Sequence, residues 1–298
     1  MSPPAFRCGA IDVLRIKETL GAAFPPAHLL PGLPEDAIER NLHWLAPNHY
    51  DPAKQRFVMG THSWLLRTPR YKILVDTCIG NHKPRPNSPG FNDLQQPYLD
   101  RLTQAGCLPE DIDFVLCTHL HVDHIGWNTR LENGRWVPTF PNAKVICSKA
   151  ELASAQAKAE AGEAGHDDRA QWQDSILPVL EAGLLETVEG LHALEDGPQC
   201  VLRVEPTPGH TPGHVVLHAQ SSGERMLFGG DLCHHPLQVY YPDVNSRFCE
   251  DSALARSTRR RILAECAGSG ALFAPAHWGP PHAARIRAIA ASFSLEWQ

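Results

Sequence analysis

The segment that most constrains the chain is Thr118-His119-Leu120-His121-Val122-Asp123-His124-Ile125-Gly126, which follows directly on the apolar run Phe114–Cys117. Four side chains able to ligate a metal fall within the six residues His119 to His124. His119 and His121 are two apart, so on extended backbone they share a face. Asp123 and His124 follow where the chain has to turn. A strand that ends in such a loop presents its side chains at the sheet's edge, where irregular backbone can converge several of them on one point. This density, behind an apolar strand, argues against a merely solvated polar loop.

Ligand-bearing strand ends recur downstream. Thr207-Pro208-Gly209-His210-Thr211-Pro212-Gly213-His214 contains two Pro-Gly turns, which force a tight path and allow close backbone approach. Phe228-Gly229-Gly230-Asp231 closes another apolar run, and Phe273-Ala274-Pro275-Ala276-His277-Trp278-Gly279 places a histidine just after a third. Lys72–Asp76 (KILVD) and Arg225–Asp231 (RMLFGGD) echo one another, each an apolar strand ending at an aspartate, which suggests two related halves.

Between these points the pattern alternates strands and helices. Strands are expected at 57–66, 71–75, 113–117, 144–147, 201–204, 215–218, 225–228 and 272–275. Helices are expected at 94–105, 148–162, 167–182, 252–267 and 283–291. The proline- and glycine-bearing stretch Asn81–Gly90 is a loop, and 161–168 is read as a mobile surface turn. Alternation in both halves favours α/β layers. Residues 1–50, rich in turn signals and with a short amphipathic piece near Ile11–Leu20, are read as an N-terminal extension that wraps the main domain or mediates dimerisation. Residues 51–298 form the catalytic domain.

Composition bounds the chemistry. Of 298 residues 43% are hydrophobic and 20% charged, enough to bury a sizeable core. The net charge of -6 disfavours a nucleic-acid or bilayer-surface partner. No run approaches a membrane span and the N-terminus lacks a signal-peptide pattern, so a cytoplasmic location is expected. Nine scattered cysteines with no CxxC pair disfavour a disulfide framework or a thiolate zinc cage, and 17 histidines raise the expectation of a metal or acid–base enzyme.

Together these motifs resemble the metallo-β-lactamase-fold hydrolase superfamily over roughly residues 57–280, and look most like its N-acyl-homoserine lactonase and methyl-parathion-hydrolase-like branch. The HxHxDH box is read as His119, His121, Asp123 and His124, followed by His210, Asp231 and His277. The resemblance implies a four-layer αββα sandwich with the metal site at the strand ends. It implies that His119, His121 and His210 bind a first metal, that Asp123, His124 and His277 bind a second, and that Asp231 bridges them. Imidazole and carboxylate ligands suit two zinc ions, with manganese, iron or cobalt as alternatives. His214 competes with His210. Asp76 matches a strand-end aspartate that orients a ligand histidine, or else caps a turn.

The implied chemistry is attack by a metal-bound hydroxide on a small hydrophobic lactone or ester, with Asp123 accepting and passing on the nucleophile's proton. Where lactonases of this branch often carry a tyrosine three residues after the bridging aspartate, this chain has His234. It is a candidate donor to the substrate carbonyl or else a structural residue, with His235 a weaker candidate. The alternative activity is phosphotriester hydrolysis. A β-lactamase, a thioesterase, a nuclease and a non-catalytic binding protein are weaker readings. Trp64, Trp127, Tyr240, Tyr241, Phe248 and Trp278 are candidate pocket walls, and the expected partners are a small-molecule substrate and a second copy in a homodimer.

Overall fold

The computed structural model describes residues 5–162, 167–195, 197 and 199–298. Two mixed sheets face one another. The first runs Phe6–Cys8, Ile11–Ala22, Arg56–Arg67, Lys72–Val75, Phe114–Leu116, Lys144–Ser148, Leu185–Val188, with Tyr50–Asp51 pairing alongside Arg56–Arg67. The second runs His192–Glu195, Cys200–Pro206, Val215–Ser221, Glu224–Phe228, Leu272–Ala274, Ala284–Ile289, Ser292–Trp297.

The layers follow from side-chain alternation. In Val215–Ser221, Val215, Leu217 and Ala219 face the core between the sheets, where they meet Trp64, Leu66, Ile73, Leu116 and Phe228. Val216 faces the other way, into the cluster formed with Ile262, Leu263 and Cys266 of helix Ser252–Ser269. On the outer side of the first sheet, Leu65, Leu74 and Val115 pack on Tyr98 and Leu102 of helix Tyr98–Gln104 and on Ile176 and Val179. Each fully buried leucine or phenylalanine contributes about 1.5–3 kcal/mol. The result is a helix–sheet–sheet–helix sandwich, the expected architecture.

The echoed segments occupy equivalent places. Lys72–Val75 pairs in parallel with Phe114–Leu116, and Glu224–Phe228 in parallel with Leu272–Ala274. In each sheet a strand ending at an aspartate (Asp76, Asp231) lies beside a strand that leads to histidines (His119, His277).

Two local expectations are corrected. Ala283–Ala291 was expected as a helix, but Ala284–Ile289 and Ser292–Trp297 form an antiparallel hairpin on the second sheet. Its good helix formers are outweighed by an alternation that buries Ala284 and Ile286 and turns Arg285 and Arg287 outward. The N-terminal fifty residues divide. Ile11–Ala22 is an internal strand, paired along its length with Arg56–Arg67. Helices Pro26–Leu29 and Ala37–Leu45 instead pack as a separate cluster on Phe57, Met59 and Leu237. Of the 161–168 turn, residues 163–166 lie outside the described residues.

Residues 168–181 are one helical rod interrupted by a π-turn at Trp172–Ile176. Pro178 has no N–H for the Asp174 carbonyl four residues back. Lys83 Nζ takes that carbonyl at 3.1 Å, and Thr129 Oγ1 also donates to it. The Asp174 carboxylate accepts two bonds of 2.7 Å from the fully buried Arg85, so the 81–90 loop is pinned by an ion cluster. No helix among the described residues is long and apolar enough to cross a membrane.

Candidate active site

The site forms where strand ends of both sheets meet. His119, His121, Asp123 and His124 lie on the turn after Phe114–Leu116. His210 comes from the Pro-Gly turns before Val215–Ser221, Asp231 follows Glu224–Phe228, and His277 follows Leu272–Ala274.

Two groups of donors result. His119 Nε2, His121 Nδ1 and His210 Nε2 converge, with mutual separations of 3.0, 3.0 and 3.1 Å. Beside them Asp123, His124 and His277 form a second group. Asp231 lies between. Its Oδ2 is 3.3 Å from His210 Nε2 and 3.7 Å from His119 Nε2, whereas its Oδ1 is 2.9 Å from His277 Nε2 and 3.3 Å from His124 Nε2.

This arrangement fits metal ions. Three ring nitrogens at about 3 Å cannot all satisfy one another, because a neutral imidazole offers one donor and one acceptor. Burial and the neighbouring imidazoles push His119 well below its ordinary value, and burial lowers His121 to about 4, so both are neutral and present lone pairs to a common point. Among the described residues His124 Nε2 and Asp231 Oδ1 are buried without a hydrogen bond of good geometry. At His277 burial opposes protonation, but Asp231 outweighs it and raises the imidazole to about 9. Protons on that side would be exchanged for a cation on binding. Nitrogen and oxygen donors without thiolate suit zinc.

The outer nitrogens are fixed by the fold. His124 Nδ1 is 2.8 Å from Asp76 Oδ2. Thr118 donates its amide and its hydroxyl to Asp76, and the same hydroxyl is 3.1 Å from His119 Nδ1. His277 Nδ1 donates to the Gly60 carbonyl at 2.9 Å, and the Gly60 amide donates back to the His277 carbonyl at 3.0 Å.

The remaining sequence candidates separate. His214 is turned away from the first group. Its Nε2 accepts the Asp231 amide at 3.1 Å and its Nδ1 meets Thr207 Oγ1 at 2.8 Å, so it shapes the turn that carries Asp231. His234 lies in the site, with Nε2 3.1 Å from Asp231 Oδ2 and Nδ1 without a partner among the described residues. His235 is buried outside it, with Nε2 donating to the His49 carbonyl. Of the six aromatic candidates, Trp64, Trp127 and Trp278 are core residues whose indole N–H groups bond to Pro275, Glu18 and Cys233. Tyr240 stacks on Trp44, while Phe248 stands 39% exposed with its ring 6.1 Å from His234, at the mouth of the site. Arg259, on helix Ser252–Ser269, is buried and donates to the carbonyls of Leu232 and Pro242, bracing the turn after Asp231.

Sequence reasoning missed two buried carboxylates. Glu18, on the N-terminal strand, accepts from the amides of Ile79 and Gly80 and from Trp127 Nε1. Glu151 accepts from the amides of Leu120 and Gly213. The available signal was Ser148-Lys149-Ala150-Glu151, which has the spacing of a capping box.

Residues 56–277 match the Metallo-beta-lactamase superfamily. An N-acyl homoserine lactonase of Bacillus sp is 30% identical over 179 residues, covering 55% of this chain and 60% of the relative. A hydroxyacylglutathione hydrolase of Aeromonas salmonicida (strain A449) is 28% identical over 168 residues, covering 56% of this chain and 44% of the relative. The lactonase match thus spans only 60% of that relative's length. Among solved structures, the hydrolase AbOPH of the beta lactamase superfamily superposes with a TM-score of 0.78 at 23% identity, over 98% of this chain and 96% of the other. AidC, a dizinc quorum-quenching lactonase, superposes with a TM-score of 0.76 at 22% identity over the same shares. With the family match running from the third strand of the first sheet to the last candidate histidine of the site, the chain belongs to the metallo-beta-lactamase superfamily.

Proposed function

We propose that the protein is a dinuclear metal-dependent hydrolase acting on a small hydrophobic lactone or ester, with zinc as the metal and N-acyl homoserine lactones as the first substrates to test. His119, His121 and His210 would hold one ion and Asp123, His124 and His277 the other, with Asp231 placed to serve both. The observation that carries this reading is the Asp231 carboxylate, which turns one oxygen to each group of imidazoles. When bound, a pair of divalent cations supplies an acidified water as nucleophile and a Lewis acid for the carbonyl oxygen.

The chain's own residues do the rest. Asp123 is part-exposed, with Oδ2 3.6 Å from His277 Nε2, and accepts the nucleophile's proton and hands it to the leaving alkoxide. His234, whose Nδ1 has no partner among the described residues, donates a hydrogen bond to the substrate carbonyl and favours the oxyanion that develops there. Phe248 offers an apolar surface to an acyl chain.

The test is turnover by purified protein of known metal content on an N-acyl homoserine lactone, an aryl ester and an aryl phosphotriester. The lactone is expected to give the highest kcat/KM. His234 stands where the lactonase-like branch often carries tyrosine, a departure that weakens the lactone preference and keeps phosphotriester hydrolysis as the second reading, which a preference for that substrate would establish. A protein with two bound metals that turns over none of the three would refute both.

A further inference from the structure

We propose that Glu151 is a positioning residue for the first metal site, whose three imidazoles it holds through the two backbone segments that carry them. The proposal rests on the metal-binding reading of that site.

The Leu120 amide donates to Glu151 Oε1 at 2.9 Å, and the Gly213 amide donates to Glu151 Oε2 at 3.0 Å. Leu120 is the residue between His119 and His121. Gly213 belongs to the Pro-Gly turn that carries His210. A single carboxylate, 4% exposed, therefore ties together the two segments that supply the whole first trio.

The fold gives Glu151 an unusual assignment. Ser148 caps helix Lys149–Ala161, its Oγ accepting the Glu151 amide at 3.1 Å. In a capping box the glutamate at this position would reach back to the cap residue's own amide. Here its carboxylate is turned to the ligand loops instead. Ser148 Oγ donates in turn to the Gly213 carbonyl at 2.7 Å, so both sides of the Gly213 residue are held by the same helix end. The fit leaves no room for a side chain, because a Cβ on Gly213 would come within 2.2 Å of the Glu151 amide nitrogen and 2.3 Å of Ser148 Oγ. Leu120 is gripped likewise, as its carbonyl accepts from the buried Gln171 side chain.

The second group lacks this support. His124 and His277 are fixed by Asp76 and by the Gly60 carbonyl, and none of the contacts of Glu151 reaches either. A loss of Glu151 should therefore fall on one site. A merely structural carboxylate would weaken both sites together through general loosening.

The experiment is zinc affinity, measured by chelator competition, in two backgrounds. His277→Ala leaves the first trio intact, and His210→Ala leaves the second group intact. Adding Glu151→Gln, which keeps one acceptor oxygen and opposes the other amide with an NH2, is expected to weaken zinc about 10–100-fold in the His277→Ala background. In the His210→Ala background a change under about threefold is expected, below the range that outer-shell ligand support produces. Unchanged affinity in the first background, or equal losses in both, would overturn the proposal. If Glu151→Gln does not fold, Glu151→Asp, which keeps the charge and shortens its reach, is read by the same two outcomes. Absence of zinc binding in the parent protein would instead strike the metal reading itself, and this proposal with it.

Discussion

Asp76 Oδ2 and His124 Nδ1 lie 2.8 Å apart, and through Thr118 the same carboxylate reaches His119 Nδ1. One aspartate thus sets the tautomer of a histidine in each donor group, so that both present Nε2 to the centre. Asp76 adopts a left-handed φ of 59°, a conformation aspartate tolerates better than most residues. Asp76→Ala is expected to weaken zinc binding about 10–100-fold, measured by chelator competition. Affinity equal to that of the parent would show that the imidazoles hold their tautomers unaided.

His234 is the residue whose chemistry the sequence left most open. If it donates to the substrate carbonyl, His234→Phe should lower kcat about 100–1000-fold, the usual cost of losing one oxyanion donor. Metal content should stay at the parent's value. Steady-state kinetics alongside metal analysis separates the two effects, and unchanged kcat with full metal would remove His234 from the reaction.

The Asp174 carboxylate bonds to both buried cations Lys83 and Arg85. Burial pushes Lys83 down to about 7, with Asp174 acting against that. Asp174→Ala would leave the buried Arg85 without its counter-ion and remove the charge that holds Lys83 up, and a loss of about 3–5 kcal/mol is expected in urea unfolding. A loss below about 1 kcal/mol, the worth of an exposed pair, would mean that the loop carrying Lys83 and Arg85 can release them to water.

Glu205 stands outside the two donor groups and bonds His218 across the paired strands Cys200–Pro206 and Val215–Ser221. The bond from His218 lowers it most, and with help from Arg261 its carboxyl falls to about 2 from the ordinary 4.5. A folded-state value below the unfolded one adds stability that is present above about pH 4.5 and fades as pH falls toward about 2. The thermal midpoint of Glu205→Gln should therefore lie below the parent's at neutral pH, with the gap closing across that acidic window. A gap independent of pH would assign the effect to packing.

The candidate ligands were legible because metal chemistry demands particular side chains at strand ends, and strand ends are marked by apolar runs. The layered fold followed from the same alternation. What escaped reading was decided by contacts distant in sequence. Ile11–Ala22 looks amphipathic on its own and becomes a strand because Arg56–Arg67 offers it an edge. Ala284–Ile289 has helix-forming residues, yet pairing with Ser292–Trp297 fixes it as a hairpin. Glu151 carries the pattern of a local cap, and only the docking of Gly213 against its helix redirects the carboxylate. Trp127 and Trp278 stand near candidate ligands in sequence but face the core, because proximity along the chain says nothing about which side is turned inward.

The donors are divided between the sheets: four histidines and aspartates follow the first, and His210, Asp231 and His277 follow the second. Neither half could retain an ion alone at comparable strength. An ion at this seam therefore acts as a rivet between halves, and its removal should be felt as slackening of the contact between them rather than as melting of either. Amide hydrogen exchange in chelator would register this at the Gly60 and Val215 amides, which donate across the seam beside the site to the His277 and Thr118 carbonyls.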